Sequence, residues 1–246
     1  MPSDATVTTA KLADSAVTTA KINANAVTSA KLNNDIISGA TELSSEPSDT
    51  DEFLVSDAGT IKRIDYSLIK SSPTHVLLGT TNVTSSTASV TFASNIDSTY
   101  KNYLFTYTDV RPVTDGAKIQ LRVNSSIGSP DTGGSQYRYA ARSYRDNGDL
   151  TNDHSNAASV ISTSSMNTGS DTSENLAGEF ILHNPSGTSG RKVFHGSSVG
   201  MQTDTAVFYN YFAGVYTETT VAVTGVQFFF NSGNIARGTF KFYGIS

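Results

Sequence analysis

A ten-residue repeat runs through residues 5–44. Ala5-Thr6-Val7-Thr8-Thr9-Ala10-Lys11-Leu12 returns as Ser15-Ala16-Val17-Thr18-Thr19-Ala20-Lys21-Ile22 and again as Asn25-Ala26-Val27-Thr28-Ser29-Ala30-Lys31-Leu32. A degraded fourth copy keeps Ile37, Ser38 and Ala40 but has Thr41 in place of lysine. Fixed-period self-similarity means one small structural unit reused along an axis. The large apolar residues, Val7, Leu12, Val17, Ile22, Val27, Leu32 and Ile37, fall every five positions. In an α-helix five residues turn through about 500°, so an apolar stripe drifts around the axis. In a strand an odd step reverses the face. An alternation of a short extended piece (Ala-Val-Thr) with one helical turn (Thr-Ala-Lys-Leu) keeps them together, with Thr8, Thr18 and Thr28 as N-caps. One turn alone is unstable in water. Each unit has only two sizeable apolar residues, so a single chain cannot enclose a core. The repeat predicts an elongated stem in which several chains bury these seven positions, each worth roughly 1.5–3 kcal/mol when fully covered.

A polar bridge, Ser44 to Glu52, leads to a hairpin signal: Phe53-Leu54-Val55 and Ile61-Lys62-Arg63-Ile64 around Ser56-Asp57-Ala58-Gly59-Thr60. A helical turn over Tyr66–Lys70 follows the Asp65 cap. Residues 45–72 read as a small neck.

From His75 the pattern is all β. Lys118-Ile119-Gln120-Leu121-Arg122-Val123 alternates polar and apolar residues, as a half-buried antiparallel strand does. Further strands are expected near residues 76–78, 89–92, 103–107, 179–182, 192–195 and 206–211. Val221–Phe230 and Gly238–Tyr243, joined by Ser232-Gly233-Asn234, read as a terminal hairpin. Gln136–Tyr144 fits a strand or a short helix. The expected architecture is mostly β: a repeat stem over 1–44, a hairpin neck over 45–72, and a jelly-roll-like antiparallel β-sandwich head over 73–246, with eight or so strands.

Charged residues make up only 16% of the 246 residues and the net charge is −5, which argues against nucleic-acid binding. There is no cysteine, so no disulfide or thiolate chemistry is available. The start, Met1-Pro2-Ser3-Asp4, shows no apolar signal-peptide core, and no apolar run reaches about 18–20 residues, so no membrane insertion is expected. A hydroxyl-rich, surface-like chain without an export signal fits a virion protein assembled in the host cytoplasm and released by lysis.

The decads, the Asp51-Glu52-Phe53-Leu54-Val55-Ser56-Asp57-Ala58-Gly59 neck, and the ending Phe230-Asn231-Ser232-Gly233-Asn234-Ile235-Ala236-Arg237-Gly238-Thr239-Phe240-Lys241-Phe242-Tyr243-Gly244-Ile245 resemble tail-fibre and related fibre proteins of tailed bacteriophages. The resemblance extends over nearly the whole chain. It implies a homotrimer with a thin N-terminal stem, contacts to other virion proteins through the N-terminus, and a distal head that meets a host-surface glycan or protein.

Catalytic and metal signatures are missing from the pattern. His75, His154, His183 and His195 are scattered, although His183 and His195 could meet across strands. No G-x-S-x-G elbow occurs. Asp146-Asn147-Gly148-Asp149 with Asp153 lacks the calcium-loop spacing and reads as a solvated loop. Neither enzyme activity nor a cofactor or metal is expected. The candidate receptor-binding residues are Tyr137, Arg138, Tyr139, Arg142 and Tyr144, because tyrosine offers a flat apolar face with a polar tip and arginine a planar fork. Phe208-Tyr209-Asn210-Tyr211-Phe212 reads as core. Two other readings stay open: an architectural virion fibre or decoration protein without a receptor, and a polysaccharide depolymerase.

Overall fold

In the computed structural model the chain forms two compact units, Met1–Ser71 and Ser72–Ser246. The structure describes residues 13–14, 16–23, 26–28, 31, 36–71, 73–126 and 129–246. About half of the chain is strand, every strand pair is antiparallel, and no described residue is α-helical.

In the first unit the sequence period recurs as a backbone period. Ala16 N–H donates to the Ala13 carbonyl and Ala26 N–H to that of Asn23, both at 2.9 Å. Five residues on, Lys21 N–H donates to the Thr18 carbonyl and Lys31 N–H to that of Thr28, again at 2.9 Å. Thr19–Lys21 is a 3-10 turn flanked by extended Thr18 and Ile22. The Thr18 side chain makes no capping hydrogen bond, contrary to the expected N-cap role; the carbonyl of Thr18 closes the turn instead. Val17, Ile22, Val27 and Ile37 are all exposed, and among the described residues no segment covers them. Val7, Leu12 and Leu32 lie outside the described residues, as do Thr8 and most of the first repeat copy.

β1 (Glu52–Asp57) and β2 (Thr60–Asp65) form the hairpin. Its loop is tighter than expected: only Ala58 and Gly59 lie between the strands, both at positive φ (48° and 84°). That is the backbone a two-residue primed turn demands, and the reason a glycine follows the alanine. Tyr66–Leu68 continues as a 3-10 turn without a side-chain cap from Asp65.

Among its described residues the second unit has thirteen strands: β3 (His75–Val83), β4 (Val90–Phe92), β5 (Asn102–Pro112), β6 (Ile119–Ser126), β7 (Ser129–Pro130), β8 (Tyr137–Arg145), β9 (Leu150–Ala158), β10 (Ile161–Ser162), β11 (Leu176–His183), β12 (Lys192–Met201), β13 (Val207–Tyr216), β14 (Gly225–Phe230) and β15 (Ile235–Ile245). They divide into two sheets. The larger has the order β3-β15-β5-β11-β12-β13-β8-β9; the smaller has β10-β6-β14-β4, with β7 added beside β6.

The sheets face each other across one aromatic core. Alternation aims Tyr103, Phe105 and Tyr107 of β5 inward, with Phe240 and Phe242 of β15 beside them. Phe228 of the smaller sheet meets Phe105, Tyr107, Phe180 and Phe240 of the larger at ring separations of 6.2, 5.9, 5.8 and 5.2 Å. These are favourable edge or tilted contacts. Inner-face glycines make room for them: a Cβ at Gly200 would stand 2.8 Å from both Leu176 and Phe208.

Two expectations change. β14 and β15 are not a hairpin. Phe230 pairs with Ile119 in the smaller sheet, whereas Ile235 pairs with Pro112 in the larger. Asn231–Asn234 carries the chain from one layer to the other, because both strands have an apolar face to bury and the interior lies between the layers. Gly233, at φ 70°, makes the bend. In addition, the segment left open between strand and helix is strand β8 from Tyr137 onward, and its hairpin partner β9 was not expected at all: Leu-Thr-Asn-Asp-His-Ser-Asn-Ala-Ala has no apolar alternation and forms an edge.

Candidate functional site

The five candidate receptor residues lie on β8, and the pleat separates them. Arg138, Arg142 and Tyr144 are exposed on the outer face of the larger sheet, and Tyr137 is fully buried on the inner face. Tyr137 is therefore a core residue. Its hydroxyl accepts from Val123 N–H at 3.1 Å and donates to the Asp131 carbonyl at 2.9 Å, joining the two sheets. Tyr139 also turns inward, is partly buried, and donates to Asp153 Oδ1 at 3.1 Å. Burial pushes its phenol up to about 12, and the Asp153 carboxylate adds to the rise.

β13 supplies what β8 lacks. Phe208, Asn210 and Phe212 are buried, while Tyr209 and Tyr211 are exposed. The reading of 208–212 as core was half right. The strict alternation Phe-Tyr-Asn-Tyr-Phe was the signal that the two tyrosines share an outer face. Register places Tyr211 beside Arg142 and Tyr209 beside Tyr144. The rings of Tyr209 and Tyr211 meet edge-on at 4.6 Å and those of Tyr144 and Tyr211 at 6.5 Å. The Arg142 guanidinium lies 5.4 Å from the Tyr144 ring centroid, within cation–π range. The Tyr209 hydroxyl beside Tyr211 pushes the Tyr211 phenol up.

Next to this cluster is an open trough of about 510 Å³. Ala140 and Ala213, direct neighbours on β8 and β13, are among its lining residues. Arg142, Tyr211, Asn152 and His154 are the larger outward-facing residues around them. Asn152 pairs with Arg142 and His154 with Ala140 across the β8–β9 hairpin. The hairpin turn is Asp146–Asp149, closed by Arg145 N–H to the Asp149 carbonyl at 2.9 Å, with Gly148 at φ 92°. Asp153 also lines the trough, but its carboxylate turns to Tyr139 and to Lys118, whose Nζ is 3.7 Å away. Among the described residues no carboxylate lies within ion-pair distance of Arg138 or Arg142.

A buried polar network fixes the strands beneath. Ser143 Oγ donates to Asn210 Oδ1 at 2.8 Å, Ser165 Oγ to Ser143 Oγ at 2.6 Å, and Asn210 Nδ2 to the Thr163 carbonyl. All four residues are buried, so β8 and β13 are held in register by partners that have no competing water.

Further along the same sheet, His183 and His195 stack with planes 10° apart; Nε2 of His183 is 3.1 Å from Nδ1 of His195. Nδ1 of His183 is 2.8 Å from Asn102 Oδ1. Oxygen can only accept, so His183 carries its proton on Nδ1 and receives the His195 Nδ1–H at Nε2. Burial, then the neighbouring His195, lowers the His183 pKa. Among the described residues no three His, Asp or Glu side chains gather as a metal site, and no helix is long and apolar enough to cross a membrane.

Comparison with protein families, with curated proteins and with solved structures found no match.

Proposed function

We propose that the chain is a structural virion fibre protein, a homotrimeric phage tail fibre built on its decad stem, whose head recognises the host surface. The observation that carries this reading is the stem. Its ten-residue period is written into the backbone turns, yet Val17, Ile22 and Val27 remain 60%, 45% and 59% exposed in a single chain. A run of apolar residues kept in strict register and left uncovered calls for other copies of itself. The hairpin over 52–65 is the neck between stem and head, and the N-terminus meets other virion proteins.

We read the head as a jelly roll with additions. What supports this reading is the order β3-β15-β5-β11 in one sheet and β4-β14-β6-β10 in the other, eight strands in two layers with the first and last strands paired. The strands β12, β13, β8 and β9 extend one sheet beyond that frame. The tyrosine–arginine face lies on this extension, where the sheet is free to carry recognition. Recognition needs no bond chemistry, and three heads on one stem raise avidity through effective concentration.

The test has two parts. Sedimentation of the purified protein gives three chains per particle, and the particle adsorbs to host cells and competes with virions. A monodisperse single chain ends the fibre reading. A trimer that neither binds cells nor competes leaves an architectural role, and release of reducing ends from host polysaccharide would make the head a depolymerase.

A further inference from the structure

We propose that the trough between β13, β8 and β9 binds an acidic saccharide, with a sugar ring against Tyr211 and its carboxylate on Arg142. This rests on reading the head as a surface-recognition domain, and it names the ligand class. Three observations converge. First, the trough is shallow and open, with Ala140 and Ala213 among its lining residues, so a flat ring can enter where a bulky apolar anchor would find no pocket. Second, Tyr211 is 54% exposed beside the trough and braced edge-on by Tyr209 and Tyr144, so its ring is already oriented for stacking. A tyrosine ring held in this way loses little entropy on binding. Third, the charge is one-sided. Among the described residues Arg142 has no carboxylate partner, while the acidic Asp153 that lines the trough is turned away and occupied by Tyr139 and Lys118. A guanidinium held over a tyrosine ring presents its fork to a planar anion. Asn152 and His154 complete the rim with groups able to donate to and accept from sugar hydroxyls.

The experiment uses the full-length protein and calorimetric titration with three probes: an oligomer of hexuronic acid, the same oligomer with its carboxyls reduced to alcohols, and poly-glutamate of matched charge. The hexuronate oligomer binds, and its reduced form binds roughly 10- to 100-fold more weakly, the loss of a charge-assisted contact. Arg142→Gln causes a similar loss for the acidic probe and leaves the reduced probe unchanged. Tyr211→Ala weakens both sugars. Arg138→Gln, outside the trough, changes neither, and unfolding midpoints show that all variants fold. Equal binding of poly-glutamate and hexuronate overturns the saccharide assignment in favour of an acidic peptide. No binding of any probe, with host-cell adsorption intact and insensitive to Arg142→Gln, overturns the site while the adhesion reading stands. Loss of adsorption itself would be a failure of that reading.

Discussion

Tyr137→Phe separates a structural tyrosine from a ligand-binding one. The change removes one oxygen and leaves the ring, so contact with Tyr216 at 5.5 Å persists and no cavity opens. What is lost is the hydroxyl's position between the sheets. Val123 N–H, 3.1 Å away, loses its acceptor, and the Asp131 carbonyl loses a donor at 2.9 Å. The residue is fully buried, so water does not reach these groups without disturbing the fold. An orphaned buried donor costs about 1–3 kcal/mol. A carbonyl that loses one of two possible partners costs less, and the smaller desolvation of phenylalanine offsets part of the sum. The expected loss is about 2 kcal/mol, or about 4–8 °C in melting temperature for a unit of this size. Urea unfolding followed by circular dichroism measures it: the midpoint falls while the slope stays constant, because the surface exposed on unfolding is unchanged. Cell adsorption should match wild type. A loss under about 0.5 kcal/mol, or unaltered stability with lost adsorption, refutes the reasoning and returns Tyr137 to the recognition surface.

In alkali, burial pushes the Tyr107 phenol up to about 12. Above pH 10 the unfolded chain sheds a proton that the folded chain keeps, so stability falls by roughly 2.7 kcal/mol between about pH 10 and 12. Tyr107→Phe flattens that limb in urea titrations across the range; an unchanged limb counts against it. On the acid side, the lowered pKa of His183 means that the unfolded chain takes up a proton first. Stability is therefore full above about pH 6.5 and drops as pH falls below it. His183→Asn should weaken the dependence between pH 7.5 and 5, read from the same midpoints. In the stem, Ile22→Ser removes a side chain with nearly half of its surface still to bury, about 1 kcal/mol per chain. In the proposed trimer three such losses give roughly a hundredfold weaker association, visible as dissociation on dilution in sedimentation. No change would show that Ile22 faces water in the assembly.

Legibility followed the source of each signal. Strands that bury one face announce themselves by alternation, so β5, β6 and β13 were readable from residues such as Ile119, Leu121 and Val123. β9 was not, because an edge strand with one large apolar residue, Leu150, presents no period. The false hairpin at Ser232-Gly233-Asn234 shows the limit of turn chemistry: a turn sequence reports a bend, not whether the two strands end in the same layer. At the candidate site, composition picked out a cluster of tyrosines and arginines on β8 but ignored the pleat. Tyr137 and Tyr139 point inward by parity with Ala141, and Tyr209 and Tyr211 point outward by the same rule applied to β13. His154 and Asn152 reach the trough only through pairing over the Asp146–Asp149 turn.

The pairing of β3 with β15 brings the entry and exit of the head together: Ser246 N–H donates to the Thr74 carbonyl at 3.1 Å. From β15, the strands that bear the trough lie four to six places along the sheet, roughly 19–29 Å at the usual strand spacing. A fluorophore or affinity handle appended after Ser246 would thus sit clear of Tyr209 and Tyr211, so a labelled protein can be used to test the proposed recognition face without obstructing it.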